Sequence, residues 1–283
     1  MPAITLACSI GFCSGVKRAI DIASRVLDRS KGRVYSLGPI IHNREVIESL
    51  QARGLVPVSS LARVAAGSTV ILPSHGSARC VLAAARKKRL RLIDVTCPHV
   101  SRVQKICSKL SQDRLEVVIV GDKDHPEVRA LRDLAPGAQV ISSPSDLRVN
   151  QFSSKRVGII SQTTQSKEAF WAMVAALIDK NHDIRELHIY NTICRDTAQR
   201  QEEVKKLAGA VDVLLVIGSA TSANTKRLLH RARKVNRCSF LVENERSALR
   251  ARIQGARSIG VISGASAPQW LVDRIVGKVR QYA

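Results

Sequence analysis

Three cysteines of this chain, Cys13, Cys97 and Cys194, lie in the same kind of local sequence. Each follows an apolar run typical of a strand and precedes a run with helical spacing, and 84 and 97 residues separate them. A helix start favours a thiolate, because the helix dipole stabilises negative charge there. Three thiolates leave one position of a tetrahedral or cubane metal site open. A catalytic centre needs such a position to take its substrate.

The spacing of these cysteines bears on which metal they could hold. Zinc bound by three cysteines and a histidine is one possibility, but the chain has no C-x-x-C pair. Thiolates drawn from three separate segments better suit a [4Fe–4S] cluster with one open iron. The remaining four cysteines lack this setting, and we interpret them as core residues: Cys8, Cys80, Cys107 and Cys238.

Histidines and small polar residues at other strand-to-helix junctions predict an anion site. Free N–H groups at a helix start already bind phosphate, and imidazole, hydroxyl and amide groups add further donors. Each such residue taken alone would be an ordinary helix cap, and only the shared position favours a ligand. The candidates are His42, His75, His125, Thr163, Ser222, Asn224 and Ser266.

Glu127 is the carboxylate with the most suggestive position. It lies two residues after His125 in the string HPEV, at the predicted start of a helix. Near a reducing metal centre it could deliver a proton to a leaving hydroxyl group. A glutamate in the first turn also complements the helix dipole, and the local sequence does not separate the two roles.

A threefold repeat would position these residues. From each cysteine the next two junction residues follow at steps of 29 and 33, then 28 and 38, then 28 and 44. The regular first step predicts three small α/β units, each with a short parallel sheet. We place the units at 14–96, 97–193 and 194–283, with a strand from residues 1–13 packed on the third. Because ligands of parallel sheets bind beyond the carboxyl ends of the strands, a pseudo-threefold arrangement would direct nine junctions at one central pocket.

The charge of the chain predicts an anionic partner. Forty-five Lys and Arg residues face 23 Asp and Glu residues, which gives a net charge of +22. The basic residues are spread along the whole chain and aromatic residues make up only 3%, so nucleic acid is a poor candidate. A small anionic substrate and an acidic protein partner fit better.

The apolar segments and the cysteines bear on the cell compartment. No apolar run is long enough to span a bilayer, and the first residues do not have the pattern of a signal peptide. Seven cysteines is an odd number, which favours free or metal-bound thiols in a reducing cytoplasm over a disulfide framework.

The junction strings resemble one protein family. The chain is similar to the 4-hydroxy-3-methylbut-2-enyl diphosphate reductases, the LytB-type iron–sulfur enzymes of the non-mevalonate isoprenoid route. The resemblance runs from about residue 4 to the end of the chain, and its nine ordered motifs make it specific. The strings are GFCSGVKRAI, LGPIIHNREVIESL, SHG, DVTCPHVSRVQ, HPEV, SQTTQS, NTICRDTAQRQ, GSATSAN and SGASAPQWLV.

The resemblance implies a fold and a reaction. It implies three α/β domains around a [4Fe–4S] cluster, and removal of the substrate's allylic hydroxyl with two electrons and two protons. The products are isopentenyl diphosphate, dimethylallyl diphosphate and water, and the electrons come from a ferredoxin or flavodoxin, which are commonly acidic.

The resemblance also implies residue roles. It assigns proton delivery to Glu127, and Thr163 helps to position the substrate hydroxyl. The implied cluster ligands are Cys13, Cys97 and Cys194, and the implied diphosphate contacts are His42, His75, His125, Ser222, Asn224 and Ser266.

Some residues depart from the family pattern. Ala223 stands where a second serine is usual, Lys17 replaces an acidic residue, and Lys226 replaces an asparagine. After HPEV, the usual Glu-Gly-Thr becomes residues 129–131, Arg-Ala-Leu. These changes add positive charge near the expected site. They leave open a divergent reductase of another phosphorylated alcohol and, more remotely, a basic nucleic-acid-binding protein.

Overall fold

A strand followed by a helix is the recurring unit of the described chain. The computed structural model describes residues 2–149, 151–250 and 253–282. The strands there are β1 (Ala3–Leu6), β2 (Val34–Leu37), β3 (Leu55–Val58), β4 (Thr69–Leu72), β5 (Arg91–Asp94), β6 (Glu116–Val120), β7 (Gln139–Ile141), β8 (Arg156–Ser161), β9 (Glu186–Ile189), β10 (Val213–Ile217), β11 (Ser239–Val242) and β12 (Ser258–Ser263). The helices there are α1 (Ser14–Arg29), α2 (Arg44–Ala52), α3 (Arg79–Lys87), α4 (Pro98–Gln112), α5 (Pro126–Leu134), α6 (Lys167–Lys180), α7 (Arg195–Ala210), α8 (Ala223–Val235), α9 (Glu245–Arg250) and α10 (Gln269–Tyr282).

The strands form three sheets of four strands each, and every recorded strand pair is parallel. The strand orders are β3-β2-β4-β5, β7-β6-β8-β9 and β11-β10-β12-β1. These orders are equivalent, because β1 takes in its sheet the edge position that β5 and β9 take in theirs. The three parallel sheets confirm the predicted α/β class.

Burial explains why the inner strands are mostly apolar. All five residues of β10 are buried, and so are the last four of β6. Helices cover both faces of such a sheet, so neither face needs polar residues. The edge strands are different, since no residue of β1 or β9 is fully buried. The edge strands are therefore held mainly by their hydrogen bonds and their flanking loops.

Two glycines bring a helix close to its sheet. A Cβ atom on Gly158 in β8 would lie 2.7 Å from Leu110 of α4. A Cβ atom on Gly260 in β12 would lie 3.0 Å from Leu207 of α7. The two leucines each lie thirteen residues after their cysteine, Cys97 or Cys194. The close packing of each cysteine-led helix is thus a repeated feature of the fold.

The nine predicted strand-to-helix junctions all lie between a strand and a helix of the structure. The cysteines follow the edge strands β1, β5 and β9 and directly precede α1, α4 and α7. The other six junctions follow β2, β4, β6, β8, β10 and β12. In each sheet the candidate residues therefore lie at the carboxyl ends of the strands, where ligands of parallel sheets bind.

By contacts along the backbone, the chain forms two compact units. One comprises residues 1–17, 41–50 and 195–283 and contains the β11-β10-β12-β1 sheet. The other comprises residues 18–40 and 51–194 and contains the other two sheets. The boundaries at 14–96, 97–193 and 194–283, and the threefold arrangement of the sheets, stay predictions. None of the helices described is both long and apolar enough to cross a bilayer.

Candidate functional site

The backbone holds the three junction cysteines in the same way. Each cysteine N–H donates to a carbonyl in the loop that follows the neighbouring strand of the same sheet. The bonds run from Cys13 to Ala265 (3.2 Å), from Cys97 to Ser74 (2.9 Å) and from Cys194 to Thr163 (2.9 Å). The cysteines are thus equivalent residues of three equivalent sheets, as the repeat predicts.

The side chains of these cysteines are available as donors. All three are outside any disulfide and have intermediate exposure. Cys97 is the N-cap residue of α4, and its side chain makes no capping hydrogen bond. At the start of α1 the Val16 N–H lies 3.5 Å from the Cys13 Sγ, as expected where helix N–H groups stabilise a thiolate.

The other four cysteines only partly match their interpretation as core residues. Cys107 is fully buried in α4, and burial raises the pKa of its thiol to about 12, so it stays protonated. The interpretation is wrong for Cys8, Cys80 and Cys238, which are exposed. Cys8 follows the exposed edge strand β1, and the other two lie at the start of an element rather than within its buried face.

Glu127 and Thr163 form a buried hydrogen-bonded pair. Glu127 is only 2% exposed although it lies in the first turn of α5. The Thr163 N–H donates to the Glu127 Oε1 over 2.7 Å, and the Thr163 hydroxyl donates to the Oε2 over 2.8 Å. A glutamate at the surface already gains from the helix dipole, whereas burying a carboxylate costs desolvation free energy that its hydrogen bonds must offset. The geometry favours the chemical role.

His125 is fixed by the same helix. It is the N-cap residue of α5, and its Nδ1 accepts the Glu127 N–H over 3.2 Å. Because Nδ1 accepts, the neutral ring carries its proton on Nε2, where it can donate to an anion. The His75 ring lies 6.5 Å from the His125 ring, centroid to centroid, in an edge-on arrangement. The structure thus brings these two predicted histidines together.

His42 does not cap the helix that follows it. Asn43 takes that role, since its Oδ1 accepts the Val46 N–H of α2 over 3.1 Å. The His42 carbonyl accepts the Ser266 hydroxyl over 3.1 Å, which joins two predicted residues. Burial, and then the nearby Lys226 ammonium, lower the pKa of His42. The imidazole is therefore neutral at neutral pH.

The start of α8 carries an unusual buried amide. Ser222 caps the helix by accepting the Thr225 N–H. Asn224 is 4% exposed, and within the described part of the chain neither its Nδ2 nor its Oδ1 finds a hydrogen-bond partner. Buried polar groups in proteins almost always have a partner, so this amide marks a place where a ligand belongs.

The predicted site residues fall into two groups, one in each compact unit. Residues 18–40 and 51–194 hold His75, Cys97, His125, Glu127, Thr163 and Cys194. Residues 1–17, 41–50 and 195–283 hold Cys13, His42, Ser222, Asn224 and Ser266. Across the described ranges no group of three or more His, Cys, Asp or Glu side chains is close enough to hold a metal ion. The assembly of both groups into one pocket stays a prediction.

Sequence reasoning missed two residues with clear roles. Asn43 is the cap of α2, which an N-cap preference could have identified beside His42. Arg200 is fully buried in α7 and holds the segment before Cys13. Its spacing of four residues from Asp196 resembles an ordinary surface ion pair, so no sequence signal revealed it.

Comparison with known proteins gives a consistent result. The family model described as LytB protein matches residues 4–280. A 4-hydroxy-3-methylbut-2-enyl diphosphate reductase of Geobacter sp. (strain M21) is 40% identical over 98% of this chain and 96% of its own length. The enzyme of the same name from Aquifex aeolicus (strain VF5) is 37% identical, with 98% of this chain and 96% of the relative covered.

Solved structures agree. The E-1-hydroxy-2-methyl-but-2-enyl-4-diphosphate reductase of Plasmodium falciparum superposes with a TM-score of 0.91 at 27% identity, covering 98% of this chain and 87% of that chain. A second structure, described as (E)-4-hydroxy-3-methyl-but-2-enyl diphosphate reductase, the terminal enzyme of the non-mevalonate pathway, gives a TM-score of 0.70 at 35% identity. That match covers 99% of this chain and 100% of the other.

Proposed function

The chain belongs to the LytB family of iron–sulfur oxidoreductases and has the activity of a 4-hydroxy-3-methylbut-2-enyl diphosphate reductase, and from this premise we propose which of its residues carry the reaction. The substrate takes up two electrons and two protons, its allylic C–O bond breaks, and the hydroxyl leaves as water. The site must therefore bind a reductant, anchor a diphosphate and supply two protons, of which one goes to the leaving hydroxyl and one to carbon. The buried Glu127–Thr163 pair is the observation that carries the assignment.

We assign a [4Fe–4S] cluster to Cys13, Cys97 and Cys194. The donor set fits, because the three thiols form no disulfide, are partly exposed and follow the same backbone hydrogen bond. When bound, a cluster with three protein ligands supplies electrons and a Lewis-acidic iron with an open position.

The diphosphate contacts are His42, His75, His125, Ser222, Asn224 and Ser266. His125, whose Nδ1 accepts the Glu127 N–H, directs Nε2 donation to the anion, and Asn224 offers a buried amide that has no partner within the described residues. Lys226 adds positive charge near His42, on which its charge acts. Anchoring the substrate at its charged end fixes the orientation of the other end, which carries the hydroxyl.

Glu127 delivers the proton, and Thr163 positions the substrate hydroxyl. A hydroxyl can both donate and accept, so a proton held at the Glu127 Oε2 can pass through the Thr163 Oγ1, 2.8 Å away. The backbone bond from Thr163 to the Oε1 keeps the carboxyl group in place while the proton moves. Burial excludes water as a competing proton source.

Replacing Asn224 by alanine is expected to lower kcat/KM by roughly 10- to 100-fold, because a hydrogen bond to a charged group contributes about 1.5–3 kcal/mol. The free energy of unfolding should change by less than about 1 kcal/mol, since the amide has no partner to lose in the free protein. Steady-state kinetics measures the change in kcat/KM, and urea unfolding measures the change in the free energy of unfolding. Thr225→Ser, a neighbouring substitution in the same turn, is the control, and an equal loss there would contradict the assignment.

We propose an acidic ferredoxin or flavodoxin as electron donor and a reducing, cytoplasmic setting. The net charge of +22 supports the acidic donor, and seven cysteines without a disulfide among them support the reducing setting. The apparent kcat/KM for such a donor is expected to fall steeply between low and physiological ionic strength, because salt screens charge-steered encounter. Turnover with dithionite and a viologen should respond far less to salt. An equal response of both assays would count against an acidic donor.

The decisive experiment is anaerobic turnover. Reconstituted protein should be brown and should convert 4-hydroxy-3-methylbut-2-enyl diphosphate with dithionite and a viologen.

Lys226 beside His42 favours one rival function, that of a reductase whose preferred substrate is another allylic diphosphate. A comparison of kcat/KM over several allylic diphosphates separates the two, and a colourless, inactive protein after reconstitution would refute both.

A further inference from the structure

The segment that leads to Cys13 is weakly anchored by its own strand. β1 has only four residues and pairs at the edge of its sheet, and none of its residues is fully buried. Between β1 and α1 the only buried residues are Ala7 and Gly11. Short, exposed edge segments open easily, so the backbone bond from Cys13 to Ala265 needs further support to keep the thiol in place.

Arg200 supplies that support from α7, the helix that begins directly after Cys194. Its side chain is 2% exposed. The Nη1 donates to the carbonyls of Ser9 (2.6 Å) and Ser263 (2.8 Å), and the Nη2 donates to the carbonyl of Gly11 (3.0 Å). The Nε pairs with Asp196 over 3.0 Å. A planar guanidinium can satisfy several acceptors at once in this way, whereas an ammonium cannot match the geometry.

Glu203, one turn further along α7, holds the same segment by its N–H groups. Its carboxylate accepts the N–H of Cys8 and, over 2.9 Å, the N–H of Ser9. Burial opposes the charge, but these backbone bonds prevail and lower the pKa of Glu203, so the carboxylate is charged. One face of α7 therefore binds both backbone N–H groups and backbone carbonyls of residues 8–11.

Arg18 makes a comparable but much weaker contact before another cysteine. It lies in α1, the helix that follows Cys13, and its Nη1 donates to the carbonyl of Thr96 over 3.2 Å. Arg18 is exposed and makes this one recorded bond, whereas Arg200 is buried and makes several. Of these two segments, the one before Cys13 is held by a buried cation.

We propose that Arg200 is a positioning residue for Cys13, and that it couples the position of this thiol to α7, the helix that follows Cys194. The inference rests on the proposed ligand set, since a positioned thiol matters most if it binds the cluster. Loss of the guanidinium leaves the carbonyls of Ser9, Gly11 and Ser263 without their donor. The cysteine would then sample other positions without the sheet itself unfolding.

The test measures thiol reactivity in the full-length, cluster-free chain. Iodoacetamide labelling followed by peptide mass spectrometry gives the alkylation rates of Cys13 and Cys97 in the same sample. Arg200→Lys keeps the positive charge but loses the planar guanidinium with its several N–H donors. In this variant the ratio of the Cys13 rate to the Cys97 rate is expected to rise about tenfold. A tenfold rise corresponds to a decrease of ~1.4 kcal/mol in the free energy of local opening. Arg200→Met should raise the ratio further.

Arg233→Met is the matched control. Arg233 also donates to a backbone carbonyl, that of Ser239, but it lies in the last turn of α8 and makes no recorded bond to residues 8–11. Its ratio should equal that of the parent protein. An unchanged ratio in folded Arg200→Lys would overturn the proposal. So would global unfolding of Arg200→Lys, because Arg200 would then hold the whole unit rather than one segment.

A second readout uses the reconstituted protein. The electron paramagnetic resonance spectrum of the reduced cluster should shift in Arg200→Lys and not in Arg233→Met. Retention of iron by Cys13→Ser would refute the ligand set, but it would leave the alkylation result standing as a test of positioning. The two proposals therefore fail in distinguishable ways.

Discussion

Replacing Glu127 by glutamine is expected to lower kcat by about 10²- to 10⁴-fold, the range that general acid catalysis contributes, while the chain stays folded. Glutamine has the shape of glutamate, and its carbonyl can still accept the Thr163 N–H that now binds the Oε1. Its amide cannot release a proton, and it would donate to the Thr163 hydroxyl that now donates to the Oε2. The variant therefore keeps the side chain in place but can no longer donate a proton.

The measurement is anaerobic turnover of reconstituted protein with dithionite and a viologen, together with its iron content. Glu168→Gln is the matched control, because Glu168 is also the second residue of its helix but is exposed. If Glu127 served only the dipole of α5, both substitutions would have the same small effect, about 0.3–1 kcal/mol of stability. Parent-like turnover in Glu127→Gln would refute the proton role.

Thr163 tests whether the pair acts as a unit. Thr163→Val removes the hydroxyl but keeps the backbone N–H, so the Glu127 Oε1 keeps its bond. We expect turnover to fall in this variant and to recover in Thr163→Ser, which restores a hydroxyl. Groups in one relay are not additive, so the Glu127→Gln/Thr163→Val double variant should be no slower than Glu127→Gln alone.

The fold was predictable from the sequence because its signals are local and repeated. An apolar strand, a polar junction and a helical run recur nine times, and the matched step of 28 or 29 residues identifies corresponding junctions. The carboxyl-end rule then places all candidate residues without knowledge of any contact. The equivalent strand orders and the shared backbone bond of the three cysteines follow the same repeat.

The contacts between distant residues were not predictable. Burial distinguishes Glu127 from other first-turn glutamates, and burial depends on packing that no local string encodes. The same holds for Arg200, whose acceptors Ser9 and Gly11 lie about 190 residues away along the chain. Exposure of Cys8, Cys80 and Cys238 was misjudged for a related reason, since a cysteine in an apolar string can face either side of its element.

Serine in place of Cys13, Cys97 or Cys194 is expected to abolish the cluster and with it the activity. Mutation of a residue that hydrogen-bonds a metal ligand typically lowers metal affinity or activity by about 10- to 100-fold. Loss of a direct ligand should therefore lower kcat/KM by more than ~100-fold. Serine matches cysteine in size, but its hydroxyl is not ionised at neutral pH and is a poor ligand for iron. The measurement is iron and sulfide content after anaerobic reconstitution, followed by turnover.

Cys80→Ser and Cys238→Ser are the controls, because both thiols are exposed and free but lie outside the junction set. They should keep the iron content and the turnover of the parent protein. The metal found also decides between the two candidate sites. A [4Fe–4S] centre brings iron, sulfide and a brown colour, whereas a Cys₃His site would bring zinc and none of these.

The three serine variants should behave alike, because the three cysteines occupy equivalent places in equivalent sheets and share one backbone hydrogen bond. A cluster held at three points loses a ligand in each variant, and no fourth thiol stands at a matching junction to replace it. Cys107 cannot substitute, since its buried thiol has a pKa of about 12 and stays protonated. If one variant kept its iron and its turnover, the cysteine replaced in it would not be a cluster ligand. The three cysteines would then be equivalent in their backbone position but not in their function.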